Sequence, residues 1–121
     1  MLDLIRGQAL ESSFMNSIVR VAKITPKKKG LFVLFYKRML NAPIIPYDFS
    51  DPFDSLTVSI EKTGHVGKFV FPKAVLMEQG VISVNGQGGK RAIRVYPPWE
   101  VLDSNQAKRT QQWQKKYYFS L

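Results

Sequence analysis

The cations of this chain are the residues whose types and spacing most suggest chemistry. Lys108, Arg109, Lys115 and Lys116 fall, at about 100° per residue, within roughly one third of a helix circumference, with Gln112 between them. Ala107, Thr110, Trp113, Tyr117 and Tyr118 take the remainder. Such a helix packs aromatic rings on one side and shows phosphate-binding charge on the other. No acid interrupts the basic side. A second group, Lys90, Arg91 and Arg94, adjoins the glycine-rich loop Asn85-Gly86-Gln87-Gly88-Gly89, whose backbone N–H groups could help hold an anion. In a strand Lys90 and Arg94 point one way and Arg91 the other. A third group joins Arg20 and Lys23 to Lys27, Lys28 and Lys29. Arg20 interrupts an otherwise apolar strand, so it is expected to face solvent or pair with an acid. Tyr96, Trp99 and Trp113 are candidate stacking surfaces for bases, although rings in such positions more often belong to a core.

For hydrolysis the chain offers little. His65 is the sole histidine and follows Thr63-Gly64 in a turn, and there is no cysteine. A usual zinc site and a thiolate nucleophile are therefore excluded. Neither a Gly-x-Ser-x-Gly elbow nor a His-Glu-x-x-His pair occurs. The run Gly86–Arg91 lacks the glycine spacing and the Ser/Thr of a P-loop. Asp48, Asp51 and Asp54 stand three apart in a proline-broken loop. Three carboxylates can hold Mg²⁺, but acids in such loops more commonly form turns and caps. The residues thus name no catalytic group, no metal ligand and no cofactor.

Several elements must position these groups. Ile18–Thr25 reads as a strand ended by Pro26, with a hairpin around Lys27–Gly30. The apolar run Leu31–Tyr36 is expected to be a strand buried on both faces. Pro43, Pro46 and Pro52 mark a loop to Phe53. Leu56, Val58 and Ile60 alternate with polar residues as in a half-buried strand, turned at Thr63-Gly64-His65 into a strand Val66–Phe71. Lys73–Gln79 reads as a short helix closed by Gly80. Val81–Val84 is short and apolar, Arg91–Tyr96 is a strand, and a final helix runs from about Asn105 to Phe119, capped by Asp103 or Ser104. Met1–Asn16 is weakly patterned, helix or strand. The order predicts an α+β fold: a mixed or antiparallel central sheet with a short helix and an amphipathic C-terminal helix.

The 121 residues make one domain, with a hydrophobic fraction of 45% that suffices for a core. No window has the ~20 apolar residues of a membrane span, and Met1–Leu10 lacks the apolar core of a signal peptide. A cytoplasmic protein with no membrane partner is expected. The 18 basic residues outnumber 9 acidic ones, giving +9, which favours nucleic acid or another acidic partner.

Specific phrases add a resemblance. Arg20-Val21-Ala22-Lys23-Ile24-Thr25-Pro26-Lys27-Lys28, Phe32-Val33, Gly67-Lys68-Phe69-Val70-Phe71-Pro72-Lys73 and Gly80-Val81-Ile82-Ser83 come in order. Arg94-Val95-Tyr96-Pro97-Pro98-Trp99, Gln106-Ala107 and Thr110-Gln111-Gln112-Trp113-Gln114 follow. Together they resemble the MepB-like family of small bacterial proteins, from about residue 19 to the end; residues 1–18 fit its pattern poorly. The family's namesake is encoded beside a multidrug efflux pump and its regulator. The resemblance implies a fold similar to restriction endonucleases. Active members of that fold hold Mg²⁺ with an Asp opening one strand and a Glu-x-Lys on the next. Asp54 precedes Leu56–Ile60 and matches the first acid, whereas Gly67–Phe71 carries none. A complete metal pair is therefore not expected.

The leading expectation is a non-catalytic DNA- or nucleic-acid-binding accessory protein. Its contacts would be Lys90, Arg91, Arg94, Lys108, Arg109, Lys115, Lys116, Arg20 and Lys23. The alternatives are a Mg²⁺-dependent nuclease-like hydrolase using Asp54, and a protein-interaction module using Tyr96, Trp99 and Trp113.

Overall fold

The computed structural model describes residues 16–121, so the reading of Met1–Asn16 lies, but for its last residue, outside the described residues. The chain runs β1 (Ser17–Val21), β2 (Lys23–Ile24), β3 (Leu31–Leu34), β4 (Lys37–Arg38), β5 (Ile44–Ile45), β6 (Ser55–Lys62), β7 (His65–Pro72), α1 (Lys73–Glu78), β8 (Ala92–Val95) and α2 (Asn105–Gln114). A 3₁₀ turn (Lys115–Tyr117) and β9 (Tyr118–Ser120) follow. The fold is α+β, as the alternation of residues predicts.

A four-stranded sheet has the order β1-β6-β7-β9, and a three-stranded sheet the order β2-β3-β8. β1 pairs with β6 in parallel; β6–β7 and β7–β9 are antiparallel. The β6–β7 hairpin turns on Thr63 and Gly64, both at positive φ (48° and 82°), the geometry a two-residue hairpin loop demands. Leu56, Val58 and Ile60 of β6 face the buried Phe71, Phe69 and Gly67 of β7 in register. A Cβ on Gly67 would run into the Tyr118 side chain from β9, so a side chain there would displace that strand.

The three-stranded sheet adds Leu31, Val33 and Val95 to the same core, with Phe35 just beyond β3 and Leu76 from α1. All five are completely buried. Aromatic contacts knit the two ends of the core. Phe35 stacks on Tyr47 at 4.7 Å, and Trp113 of α2 meets Phe71 at 5.5 Å. Burying a large apolar side chain of this kind contributes roughly 1.5–3 kcal/mol.

Four expectations need correction. Ile18–Thr25 is not one strand: it breaks at Ala22, whose N–H donates to Ser59 O at 3.0 Å. The next residue, Lys23, pairs with Phe32 instead. One segment thus serves both sheets. Leu31–Tyr36 is not buried on both faces. Leu31, Val33 and Phe35 point inward, while Leu34 is 42% exposed and Phe32 and Tyr36 are half-buried. The proline-marked stretch is not all loop: Ile44–Ile45, between Pro43 and Pro46, forms β5 and pairs with β4 as a small hairpin. Finally, the last helix stops at Gln114, and the chain re-enters the sheet as β9. That end has no glycine or proline, and the aromatic spacing continues a helical pattern, so residue types alone do not mark it.

Candidate functional site on the outer face of the small sheet

The register of β2, β3 and β8 assembles a site that sequence spacing does not show. Lys23 lies opposite Phe32, and Phe32 opposite Arg94. Residues in register share one face of a sheet. Leu31 and Val33 point into the core, so Phe32 and its neighbours form the outer face. The result is a row Lys23–Phe32–Arg94, an aromatic ring flanked by two cations. Ala92 and Leu34 make the next row on that face, and Tyr36 extends it.

Arg94 is held rigidly. Its guanidinium donates to Lys29 O and to Thr25 Oγ1, each at 3.0 Å, and its centre lies 5.9 Å from the Phe32 ring. These bonds clamp the Lys27–Gly30 turn onto β8. Gly30 has φ 75°, and an added Cβ would lie 2.6 Å from the Tyr96 ring. The turn therefore fits closely under Tyr96. A cation fixed in advance loses little conformational freedom when it meets a ligand.

Beside the row lies a depression of about 410 Å³ lined by Arg20, Val21, Lys23, Leu34 and Tyr36. Arg20 does not face solvent fully, and among the described residues it pairs with no acid. Its guanidinium donates to Val19 O at 2.9 Å and to the Tyr47 hydroxyl at 3.4 Å. Behind Arg94, a cleft of about 360 Å³ separates α2 from β8; Lys90, Arg94, Tyr96 and Trp113 are among its walls. A third hollow, of about 290 Å³, joins Arg94 to Lys28, Lys29 and the start of α2. Neither the depression nor the cleft has a carboxylate among its lining residues. Among the described residues the side-chain ion pairs are Lys37–Asp51 at 2.7 Å and Lys62–Glu100 at 3.1 Å, so none of these site cations is neutralised by a carboxylate there.

The nine cations singled out in the sequence thus fall into separate places. Arg20, Lys23 and Arg94 border the sheet face, and Lys90 shares the cleft with Arg94. Lys108 and Arg109 are exposed on α2, on the side away from the buried Gln114. Lys115 and Lys116 are exposed in the 3₁₀ turn rather than on a continuing helix. Arg91 is exposed and lines none of these hollows. Phe32 and Tyr36 escape residue-type reasoning because they sit in an apolar run. No residue-type signal inside Leu31–Tyr36 finds them; their outward face shows only once β3 is paired with β2 and β8.

The glycine loop holds an anion, but one of the chain's own. Asn85, Gly86, Gly88 and Gly89 all take positive φ. Gly86 N–H and Ser83 Oγ donate to Asp48 Oδ1 at 3.0 and 2.7 Å; Ser50 N–H and Oγ donate to Oδ2 at 3.0 and 2.7 Å. The Gly86 amide leads these donors in pushing the Asp48 carboxyl well below the usual carboxylate range. Burial raises the neighbouring Asp51, but the Asp48 N–H and the Lys37 ammonium outweigh it and hold it low. Lys73 donates to Phe49 O and Asp51 O from above the Phe53 ring. The proline loop is thus a braced structural unit. Asp54 stands apart, accepting the Asn16 N–H at 3.0 Å. Among the described residues no three His, Cys, Asp or Glu side chains gather as a metal site.

Of the three rings proposed for stacking, Trp99 is engaged. Its face lies 4.1 Å from His65 at 9°, and its Nε1 donates to the Tyr118 hydroxyl at 3.2 Å. This closes the corner after Pro97-Pro98. Tyr96 and Trp113 are half-buried and open onto the cleft. Among the described residues no helix is long and apolar enough to cross a membrane.

Comparison with known proteins agrees with the phrases that carry the sequence resemblance. No curated protein matches the chain. A solved structure, the crystal structure of MepB, superposes with a TM-score of 0.84 at 34% identity, covering 89% of this chain and 74% of that one. The sequence model of the MepB-like family matches residues 6–120, nearly the whole length and beginning ahead of the Arg20–Lys28 phrase. On both grounds the chain belongs to the MepB-like family.

Proposed function

We propose that this protein is a non-catalytic nucleic-acid-binding accessory protein whose contact surface is the outer face of β2-β3-β8. The observation that carries the reading is the in-register row Lys23–Phe32–Arg94. Cations spaced across a sheet can follow a phosphate backbone, and an aromatic ring between them offers a base a stacking surface. Arg20, beside the row, Lys90, behind it, and Arg91, Lys108, Arg109, Lys115 and Lys116 farther out add long-range attraction. The chemistry for cutting is not in place beside Asp54: β7 has no acid from His65 to Pro72, so the second carboxylate of a restriction-type metal pair is missing there.

Anisotropy of a labelled DNA oligonucleotide provides the test. Affinity should fall about tenfold or more between ~50 and ~200 mM salt, because each neutralised phosphate releases a counterion. Lys23→Ala should flatten the salt slope by about one. Phe32→Ala should weaken binding by about 1–3 kcal/mol and leave the slope alone. No binding at ~50 mM salt, or full binding in both variants, would overturn the proposal.

A further inference from the structure

The cleft between α2 and β8 is distinct from the sheet face and has its own chemistry. Ile93 and Ala107 are among its apolar lining residues, and Tyr96 and Trp113 supply aromatic rings. Lys90 and Arg94 bring positive charge, and Gln79 and Gln106 bring two amides. The glutamines of α2 make the contrast clear. Gln111 and Gln114 are engaged: Gln111 Nε2 donates to Pro97 O and Glu100 O, while Gln114 bridges Tyr96 N–H and Arg94 O. Among the described residues, nothing hydrogen-bonds the side chains of Gln106, Gln79 or Lys90. These are the groups that line the opening.

We propose that this cleft is a seat for a single nucleotide unit, an aromatic ring carrying a phosphate. The proposal extends the nucleic-acid reading and shares its premise that the basic surface meets phosphates. Each alternative ligand class leaves something unused. A bare phosphate leaves the rings and amides without partners, and a neutral sugar has no use for the cations. An aliphatic chain would cover polar groups that then lose water without compensation. A nucleotide uses all three: the phosphate takes Lys90, the ring lies against Trp113 or Tyr96, and the ring's edge meets an amide, which offers both a donor and an acceptor. The volume of about 360 Å³ falls in the range of small-molecule sites, about 300–1,000 Å³, and is far too narrow for a duplex. The same chemistry can arrive as a free mononucleotide or as one unit of a strand.

The test follows the Trp113 indole N–H by NMR in the whole chain, separated from Trp99 through Trp113→Phe. AMP should shift this signal saturably. Adenosine and inorganic phosphate should each bind at least about tenfold more weakly, since adenosine gives up the charge-assisted contact and phosphate gives up the ring contacts. Lys90→Ala should reduce AMP affinity to that of adenosine. A short oligonucleotide that shifts Trp113 and is displaced by AMP shows that the seat takes a unit of a strand. One that binds without touching Trp113 shows that it serves free nucleotides. The proposal is overturned if AMP gives no saturable shift up to ~10 mM, if phosphate alone binds as tightly as AMP, or if Lys90→Ala changes nothing. Oligonucleotide binding without AMP binding would remove the seat and keep the sheet-face reading. AMP binding without any oligonucleotide binding would do the reverse.

Discussion

The Asp48 carboxylate accepts four hydrogen bonds, and its titration reports on the loop it braces. Its folded-state pKa is depressed, so its contribution is complete above the ordinary Asp value of about 4 and declines as pH falls below it toward the folded value. Asp48→Asn should lower the urea midpoint at pH 6. The gap between wild type and variant should narrow steadily from about pH 4 to pH 2, as measured by denaturation at each pH. The role of Asp48 as a turn former could be read from its place among prolines, but its bond to Gly86, 38 residues on, could not. The same holds for Arg94. Its charge was visible in the sequence, whereas its partners Thr25 and Lys29 are brought to it only by the β3–β8 pairing. Arg94→Lys cannot reproduce the two-pronged contact and should destabilise by about 1–2 kcal/mol through the loss of both bonds.

At the level of elements, α2 is attached to β8 largely by amides. Gln114 is 1% exposed and stands where a further strand would be, accepting from Tyr96 N–H at 2.8 Å and donating to Arg94 O at 3.1 Å. Truncating it leaves a donor and an acceptor unsatisfied, so Gln114→Ala should cost about 2–4 kcal/mol in chemical denaturation. Gln114→Glu should cost at least as much, because a carboxylate cannot donate to Arg94 O and would be buried charged. The sequence shows a helix here, with Ser104 as its cap, and Ser104 Oγ does accept the Ala107 N–H at 3.1 Å. It does not show that a polar glutamine would be the most buried residue of the helix. Rules of periodicity assign glutamine to solvent unless its partners are known. β3 teaches the complementary lesson: a wholly apolar run hid an alternation that only pairing partners on one side reveal.

For the whole molecule, the excess charge lies in at least two regions with different expected effects. Lys108, Arg109, Lys115 and Lys116 line none of the hollows beside the sheet row, so they should act at long range. Replacing all four with Ala should reduce the salt slope by a few units and slow association with DNA, measured by stopped-flow, with little change in dissociation. Variants of the Lys23–Phe32–Arg94 row should act mainly on dissociation. The α+β class, the β6–β7 hairpin and the basic surplus were legible because they rest on local pattern and composition. The parallel pairing of β1 with β6 was not, since it joins residues 38 apart, such as Ser17 and Ser55, and no local signal specifies a distant partner.

The break at Ala22 also bears on the order in which the protein folds. The β6–β7 hairpin closes over two residues and can form early, whereas β1 must cross a long loop before it docks, which is slow. Lys23 follows that docking point directly. The row on the small sheet also needs Arg94, which β3 meets across 62 residues of chain at Phe32, a wider loop than the 38 between Ser17 and Ser55, so a half-folded chain should not present the finished surface.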